Sequence, residues 1–322
     1  MRIGIVSDIH YAGAEERARG DDFELSCVSR RWQRFLLRFY RHHFWLREPL
    51  RKNYLLDRFL ARAEPWDYLV ANGDYSCDSG YLGVSDPAAF QSARECLEKL
   101  RSQFGDRLRA NFGDHELGKL SLLGKRGGLR LDSWRRAREE LRLEPFWELA
   151  IGRYRLLGVV SSLVALPVFA PDMLPEERAD WTALRASHLA EIRRAFAALE
   201  PGQRAWLFCH DPTALPFLWQ EPVVRGKLPQ LEQTVIGHLH SPLILWKSRL
   251  LSGMPEIPFL GHTAKRLSSA LRQARQWRPF KVRLCPSLAG IELLKDGGYL
   301  TAELDPEARR PARVELHRLP RK

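Results

Sequence analysis

The chain has 322 residues, of which 45% are hydrophobic and 28% charged, a globular composition that excludes wholesale disorder. Lysine and arginine outnumber aspartate and glutamate by 51 to 39, and the formal net charge of +12 favours an anionic partner: phosphate, nucleic acid or an acidic membrane. The five cysteines form no CxxC pair, so we expect neither a zinc knuckle nor a disulfide framework, and we favour a reducing compartment.

Hydropathy does not predict a membrane-spanning segment. The longest mostly apolar run, residues 156–170, contains Gly158, Ser161 and Pro167 and is too short to span a bilayer. The first residues have the pattern of a strand rather than of a secretion signal. We therefore expect a cytoplasmic protein that is either soluble or peripherally bound to a membrane.

The chain begins with a pattern typical of a buried strand. Ile3, Ile5 and Val6 form a short β-branched run, and Asp8 and His10 follow it. Two residues apart on an extended chain, these two side chains would lie on the same side and could reach one metal ion. Open sheets bind ligands at this carboxyl edge, so the pair is a candidate site.

Residues 29–62 form a basic segment with ten lysines and arginines and two acids. Apolar residues from Trp32 to Tyr40 recur at the spacing of an amphipathic helix, and Pro49 predicts the start of a second helix. One interpretation is a surface helical pair whose apolar stripe packs on the sheet. The other is an element that docks on anionic lipid or on nucleic acid. His42 and His43 are adjacent on the predicted helix and point different ways, so we exclude them from the site.

Downstream, apolar runs alternate with helical patterns, as in an α/β fold. Strands are predicted over 68–71, 108–112, 154–164, 205–209 and 234–236. Helices are predicted over 88–104, 132–143 and 175–199, and the residues after 297 predict a final strand or hairpin with a polar tail. We expect one domain over 1–322, in which 29–62 is a helical insertion and 263–322 is an extension that completes the sheet.

Chemically active side chains follow five of the predicted strands, several of them directly after glycine. These residues are Asp8, His10, Asp74, Asp114, His115, His210, His238 and His240. Glycine lets the backbone turn sharply and approach an ion closely. Because parallel strands of one sheet end at one edge, we expect these side chains to converge.

In this order the motifs resemble those of the calcineurin-like metallophosphoesterases. The matching motifs are Asp8-Ile9-His10, Gly73-Asp74, Gly113-Asp114-His115-Glu116, His210 and Gly237-His238-Leu239-His240. The resemblance extends over residues 1–262 and implies a four-layer α/β/β/α sandwich with two divalent metal ions.

By this resemblance, each metal has its own set of ligands. Asp8, His10 and His240 would hold the first metal, Asp114, His210 and His238 the second, and Asp74 would bridge them. Carboxylate and imidazole ligands suit manganese, our first expectation, and also iron or zinc. Metals bridged at roughly 3.5–4 Å would supply a hydroxide for in-line attack on phosphorus. His115 would protonate the leaving oxygen or contact the phosphoryl group.

The chain departs from the family pattern at Asp114, where asparagine is usual. Aspartate can still ligate through one oxygen, but it adds a negative charge beside an anionic phosphate. We expect tighter metal binding together with weaker substrate binding, and the alternative is loss of activity. Glu116, beside His115, is a candidate for orienting a neighbour.

The sequence thus predicts a metal-dependent hydrolase of a phosphodiester or pyrophosphate bond. The aromatic and basic segment 29–62 would form one wall of the cleft and would suit a lipid-linked substrate at an anionic membrane surface. The same arginines would suit nucleic acid, with Trp32 or Trp45 stacking on bases, and then the protein would be a nuclease or nucleotide phosphodiesterase. A third hypothesis is a non-catalytic binding protein on the same fold.

Overall fold

Two five-stranded β-sheets face each other in the computed structural model, which describes residues 1–77, 81–119, 126–255 and 262–321, and only the backbone of 262–267. The strands are β1 (Arg2–Val6), β2 (Tyr68–Ala71), β3 (Leu108–Ala110), β4 (Phe146–Ile151), β5 (Tyr154–Val159), β6 (Arg204–Cys209), β7 (Leu231–Ile236), β8 (Val282–Leu284), β9 (Gly298–Glu303) and β10 (Arg313–Arg318). The first sheet has the order β10-β9-β1-β2-β3, and the second has the order β4-β5-β6-β7-β8.

The strands that precede the candidate site are parallel within each sheet. β1, β2 and β3 are mutually parallel, and β9 pairs antiparallel with β1 and β10. β5, β6, β7 and β8 are also parallel, and β4 pairs antiparallel with β5. The carboxyl ends of the parallel strands therefore share one edge in each sheet. Ser7, just beyond β1, bridges to Ser287, just beyond β8, so these two edges meet.

The helices of the described residues are α1 (Ala14–Arg19), α2 (Arg31–Tyr40), α3 (Tyr54–Arg62), α4 (Pro87–Phe104), α5 (Asp114–Leu117), α6 (Leu131–Glu139), α7 (Ser161–Val164), α8 (Leu166–Phe169), α9 (Arg178–Ala197), α10 (Leu215–Gln220), α11 (Pro222–Lys227), α12 (Pro242–Leu250) and α13 (His262–Gln273). The two longest, α4 and α9, cover the outer faces of the sheets. Asp86 caps α4 by accepting from the Ala89 amide, and Pro87 occupies its first turn.

Buried apolar side chains hold the layers together. Ile5 of β1 lies in one cluster with Trp206 and Phe208 of β6, which forms the core between the sheets. On the outer faces, Leu97 of α4 and Phe196 of α9 belong to a second, larger core cluster. The predicted four-layer α/β/β/α architecture is confirmed, because each sheet buries one face against its partner and the other against helices.

Some element predictions were wrong in detail. The predicted strand 154–164 is β5 followed by the short helix α7, because Ser161 begins a helical turn. β4 and β8 were not predicted. In β4, buried and exposed residues alternate, as in a strand with one buried face. β8 has only three residues, which is too short for a periodic signal. β8 joins the second sheet, whereas β9 and β10 form a hairpin in the first.

The basic segment contains two helices with different environments. Pro49 starts a short 3-10 turn, Pro49–Arg51, and the second helix begins only at Tyr54. Leu55, Leu56 and Phe59 of α3 are buried, as the packed interpretation predicts. The same interpretation is wrong for α2, which buries no residue. Among the described residues, no helix is long and apolar enough to cross a membrane.

Candidate metal centre

The first group of candidate ligands joins the two sheets. Asp8 and His10 follow β1, and His240 follows β7. The Nε2 atom of His240 lies 3.3 Å from Oδ1 of Asp8 and 3.3 Å from Nε2 of His10. All three residues are buried, and their ligand atoms are close enough to share one ion.

The second group surrounds Asp114. Its Oδ1 atom lies 3.1 Å from Nε2 of His210 and 3.2 Å from Nδ1 of His238. His210 follows β6, His238 follows β7, and Asp114 begins α5 just beyond β3. These three residues also form a set of atoms that could hold one ion.

Asp74 lies between the two groups. Its Oδ2 atom is 3.3 Å from Nε2 of His210, and its ligand atoms also cluster with those of Asp8. Two further possible sets combine Asp74 with Asp8 and His210, and with His10 and His115. The structure thus brings together all eight residues that the sequence predicted, and Asp74 lies between the first two groups.

Backbone carbonyl groups orient three of the histidine rings. Nδ1 of His10 and Nδ1 of His115 both lie within hydrogen-bond distance of the Ser76 carbonyl oxygen, at 3.3 and 3.0 Å. Nδ1 of His210 lies 2.6 Å from the Asn72 carbonyl oxygen. A carbonyl oxygen only accepts, so each Nδ1–H donates, and when the ring is neutral its Nε2 lone pair is available to the site.

The backbone at this edge is strained. Five of the candidate ligands have left-handed φ angles between +51° and +60°: Asp8, His10, Asp74, His238 and His240. Each such residue costs of the order of 1–3 kcal/mol and persists only where the surroundings impose it. The prediction that Asp8 and His10 continue an extended strand was therefore wrong. Turns in the backbone, rather than the strand pleat, aim both side chains at the centre.

Two glycines allow the loops to approach each other. A Cβ atom at Gly113 would collide with the carboxylate of Asp74, and one at Gly237 would collide with Ser7 and Asp8. Neither position could therefore carry a side chain without displacing a candidate ligand. This is the physical reason why glycine precedes these motifs.

Glu116 connects two of the ligand loops. Its buried carboxylate accepts hydrogen bonds from the backbone amides of Gly113 at 2.7 Å, Tyr75 at 2.9 Å and Asp74 at 3.1 Å. Burial raises the pKa of Glu116 to about 7. Glu116 therefore orients the loops that carry Asp74 and Asp114, rather than a single neighbouring side chain.

Lys119 is a site residue that sequence reasoning missed. Its Nζ atom lies 2.7 Å from Oδ2 of Asp114. Burial alone would raise the pKa of Asp114, but Lys119 and His238 hold it well below its usual range. The unusual carboxylate at position 114 was the signal that could have prompted a search for a nearby cation.

Trp45 brings the basic segment to the centre. Its ring centroid lies 4.7 Å from that of His240, and its carbonyl oxygen accepts a hydrogen bond from the Glu292 amide. From the sequence, Trp45 is a candidate for stacking on bases, and its contact with a candidate metal ligand is not predicted. The prediction that the basic segment forms one wall of the cleft is consistent with this contact.

The residues at the centre fit divalent cations. Asp8, Asp74 and Asp114 are three buried carboxylates in one cluster, and buried like charges need nearby cations. Although burial favours the neutral ring, Asp211 and Asp114 raise the pKa of His238 to about 9, so protons can provide part of that positive charge. Four imidazoles and three carboxylates suit manganese, iron or zinc.

Comparisons with known proteins find distant structural similarity. No family model and no curated protein matches the sequence. A phosphopantetheinyl hydrolase from Mycobacterium tuberculosis is 16% identical, with a TM-score of 0.35, over 74% of this chain and 82% of that one. A putative 5′-nucleotidase from Staphylococcus aureus, solved with alpha-ketoglutarate, is 11% identical, with a TM-score of 0.37. The match covers 98% of this chain but only 52% of the nucleotidase. Similarity this distant leaves the function to be argued from the residues themselves.

Proposed function

We propose that the protein is a metal-dependent phosphohydrolase of the calcineurin-like metallophosphoesterase type, with two divalent ions. The observation that carries this proposal is the presence of two three-residue ligand groups with Asp74 between them. Asp8, His10 and His240 would hold one ion, and Asp114, His210 and His238 the other, with Asp74 shared. Bound divalent ions would supply an acidified water and positive charge for the phosphoryl oxygens.

The protein's own residues would prepare this chemistry. The Ser76 and Asn72 carbonyl groups hold histidine rings with Nε2 towards the centre. Glu116 fixes the distance between the loops of Asp74 and Asp114 through backbone hydrogen bonds. Preorganised ligands of this kind bind ions without first having to be ordered.

His115 would contact the phosphoryl group or protonate the leaving oxygen. Its Nδ1 faces the Ser76 carbonyl, and its Nε2 lies 3.8 Å from Oδ2 of Asp74. Burial lowers the pKa of His115 to about 3, so the ring is neutral without substrate. The acid role therefore requires the negative charge of a bound phosphate to raise that pKa.

A phosphodiester or pyrophosphate linked to a lipid is the substrate class that we favour. Trp32 is 57% and Phe35 66% exposed on α2, although both are large apolar residues. Trp246 on α12, shortly after His240, is also exposed. Apolar side chains among arginines suit an anionic membrane surface, where the aromatic rings insert and the guanidinium groups meet headgroups.

The hydrolytic activity can be tested with a substrate panel. Manganese-loaded protein is assayed on an activated phosphodiester, a lipid-linked nucleotide pyrophosphate, a cyclic nucleotide, single-stranded DNA and a phosphomonoester. We expect hydrolysis of the activated diester and the highest kcat/KM on the lipid-linked pyrophosphate. The Asp74→Asn variant, purified in parallel, controls for contaminating phosphatases. Manganese binding without hydrolysis of any substrate would favour a non-catalytic binding protein, and preferred cleavage of DNA would favour a nuclease.

The role of His115 has its own test. We expect His115→Ala to slow substrates with poor leaving groups more than substrates with good ones, because only poor leaving groups need a proton. The measurement is kcat/KM across a series of diesters that differ in leaving-group pKa. Equal losses across the series would exclude the acid role and leave the phosphoryl contact.

A membrane partner can be tested by sedimentation. We expect the protein to sediment with vesicles that contain phosphatidylglycerol and to remain in the supernatant with neutral vesicles. Binding to DNA, measured across a salt series, is the competing outcome. Failure to bind either one would remove the docking role of the segment.

A further inference from the structure

The two oxygens of Asp114 have different partners. Oδ1 lies 3.1 and 3.2 Å from the nitrogens of His210 and His238, whereas Oδ2 lies 2.7 Å from the ammonium of Lys119. One oxygen therefore faces the candidate second metal position, and the other is occupied by a fixed positive charge. An asparagine at position 114 would offer one ligating oxygen and no charge. The Asp114–Lys119 pair likewise offers one free oxygen and has no net charge.

We infer that Lys119 is a positioning residue that cancels the charge of Asp114 and restricts it to one ligating oxygen, so that the centre can accept an anionic phosphate. This inference rests on the proposed function. It explains why an added carboxylate is tolerated beside a phosphate site. It also gives a role to a lysine that the sequence motifs do not include.

The local backbone brings Lys119 back to Asp114. Asp114 begins α5, and Gly118 ends it with a φ of +89°, a left-handed conformation that suits glycine. The Gly118 amide donates to the Asp114 carbonyl at 3.0 Å. A Cβ atom at Gly118 would collide with the Gly128 carbonyl, so this tight turn depends on glycine.

The Asp114–Lys119 ion pair is also more buried than an ordinary surface ion pair. The side chain of Lys119 is 27% exposed, and that of Asp114 is 6% exposed. A charge-assisted hydrogen bond with one nearly buried partner is stronger than a solvated ion pair. Loss of the lysine would therefore leave Oδ2 of the buried carboxylate without its cationic partner. That oxygen could then bind a metal ion together with Oδ1.

Two opposite effects are expected when the lysine loses its charge. In Lys119→Met, the freed Oδ2 and the lost positive charge should strengthen manganese binding several-fold. The uncompensated negative charge should weaken the binding of inorganic phosphate by about tenfold, since 1.4 kcal/mol of electrostatic repulsion corresponds to that factor. Lys119→Arg keeps the charge and should retain the wild-type values within about threefold.

The decisive experiment is a double-mutant cycle between positions 114 and 119. Manganese affinity is measured by titration calorimetry, and phosphate affinity by the same method on manganese-loaded protein. Asp114→Asn removes the charge that Lys119 neutralises, so the double variant, which lacks both charges, should bind phosphate within about threefold of the wild type. Thermal unfolding of all variants checks that they are folded.

The outcomes separate this inference from the proposed function. A double variant that binds phosphate as weakly as Lys119→Met would overturn the inference, because Lys119 would then act on phosphate independently of Asp114. Unchanged phosphate and manganese affinities in Lys119→Met would overturn it as well, while leaving a manganese-binding wild type intact. A wild type that binds no manganese would overturn the proposed function and, with it, the inference.

Discussion

The candidate metal centre and helix α2 break the usual rule of burial in opposite directions. At the centre, charged and polar side chains such as Asp8 and His210 are completely buried. On α2, large apolar side chains such as Phe35 face solvent. The two regions are connected through Trp45, which follows α2 and contacts His240. Ordinary folding stabilises neither arrangement, and buried polar or exposed apolar groups are where function is expected.

The two regions also carry different costs, one in stability and the other in solubility. The centre costs stability through strained backbone and through the burial of charged groups, and a bound ion would compensate for both. The exposed face of α2 costs solubility, and a lipid surface would compensate for it. Variants should therefore affect chemistry in one region and localisation in the other.

The largest effect is expected from the shared candidate ligand. Asp74→Asn should reduce kcat/KM by roughly a thousandfold, or about 4 kcal/mol of transition-state stabilisation. The metal-free variant should be less stable than the wild type, because His210 loses the buried carboxylate with which it pairs. Thermal unfolding with and without manganese measures the stability of both proteins. If manganese stabilises the variant as much as the wild type, Asp74 is not a metal ligand.

A smaller effect is expected from the residue that connects the ligand loops. Glu116→Gln replaces one accepting oxygen with a donor that faces backbone amides, so we expect a loss of manganese affinity of about 10–100-fold. Calorimetric titration provides the measurement. Glu139→Gln, at an exposed position on α6, is the matched control and should leave the affinity unchanged. Equal manganese affinities of the two variants would contradict the assigned role of Glu116.

The smallest effect on chemistry is expected on the exposed helix. The double variant Trp32→Ser, Phe35→Ser should lose most of its binding to anionic vesicles, because burial of each aromatic side chain contributes about 1.5–3 kcal/mol. Hydrolysis of a soluble activated diester should stay at the wild-type rate. Leu316→Ser removes an exposed apolar side chain from β10 and serves as the control. Undiminished vesicle binding in the double variant would show that the aromatic residues do not insert.

Much of the fold and of the candidate site was predictable from local patterns. The runs before Asp8, Asp74, Asp114, His210 and His238 are apolar and short, and each proved to be a strand of a parallel arrangement. Parallel strands of a sheet end at one edge, so the residues after β1, β2 and β3 had to lie close together, and so did those after β6 and β7. That the two sets meet depends on how the two sheets face each other. Strands β4 and β8 were not predicted, although the residues of β4 also form a short, mostly apolar run.

The exposure of α2 could not be predicted in this way. Its apolar spacing is the same whether the stripe covers a sheet or faces solvent, and α3, with the same kind of pattern, is buried. The assignment of residues 1–322 to one domain, with an insertion and a C-terminal extension, stays a prediction.

The sequence by itself determined which residues can ligate and that they follow strands, because residue type and hydrophobic period are local properties. Only the tertiary structure decided how these residues are used. The tertiary structure orients Asp8 and His10 through left-handed backbone conformations, joins two loops through Glu116, and pairs Asp114 with Lys119. Such contacts depend on distances between the edges of two sheets and on a glycine turn, and no single segment of the chain encodes them.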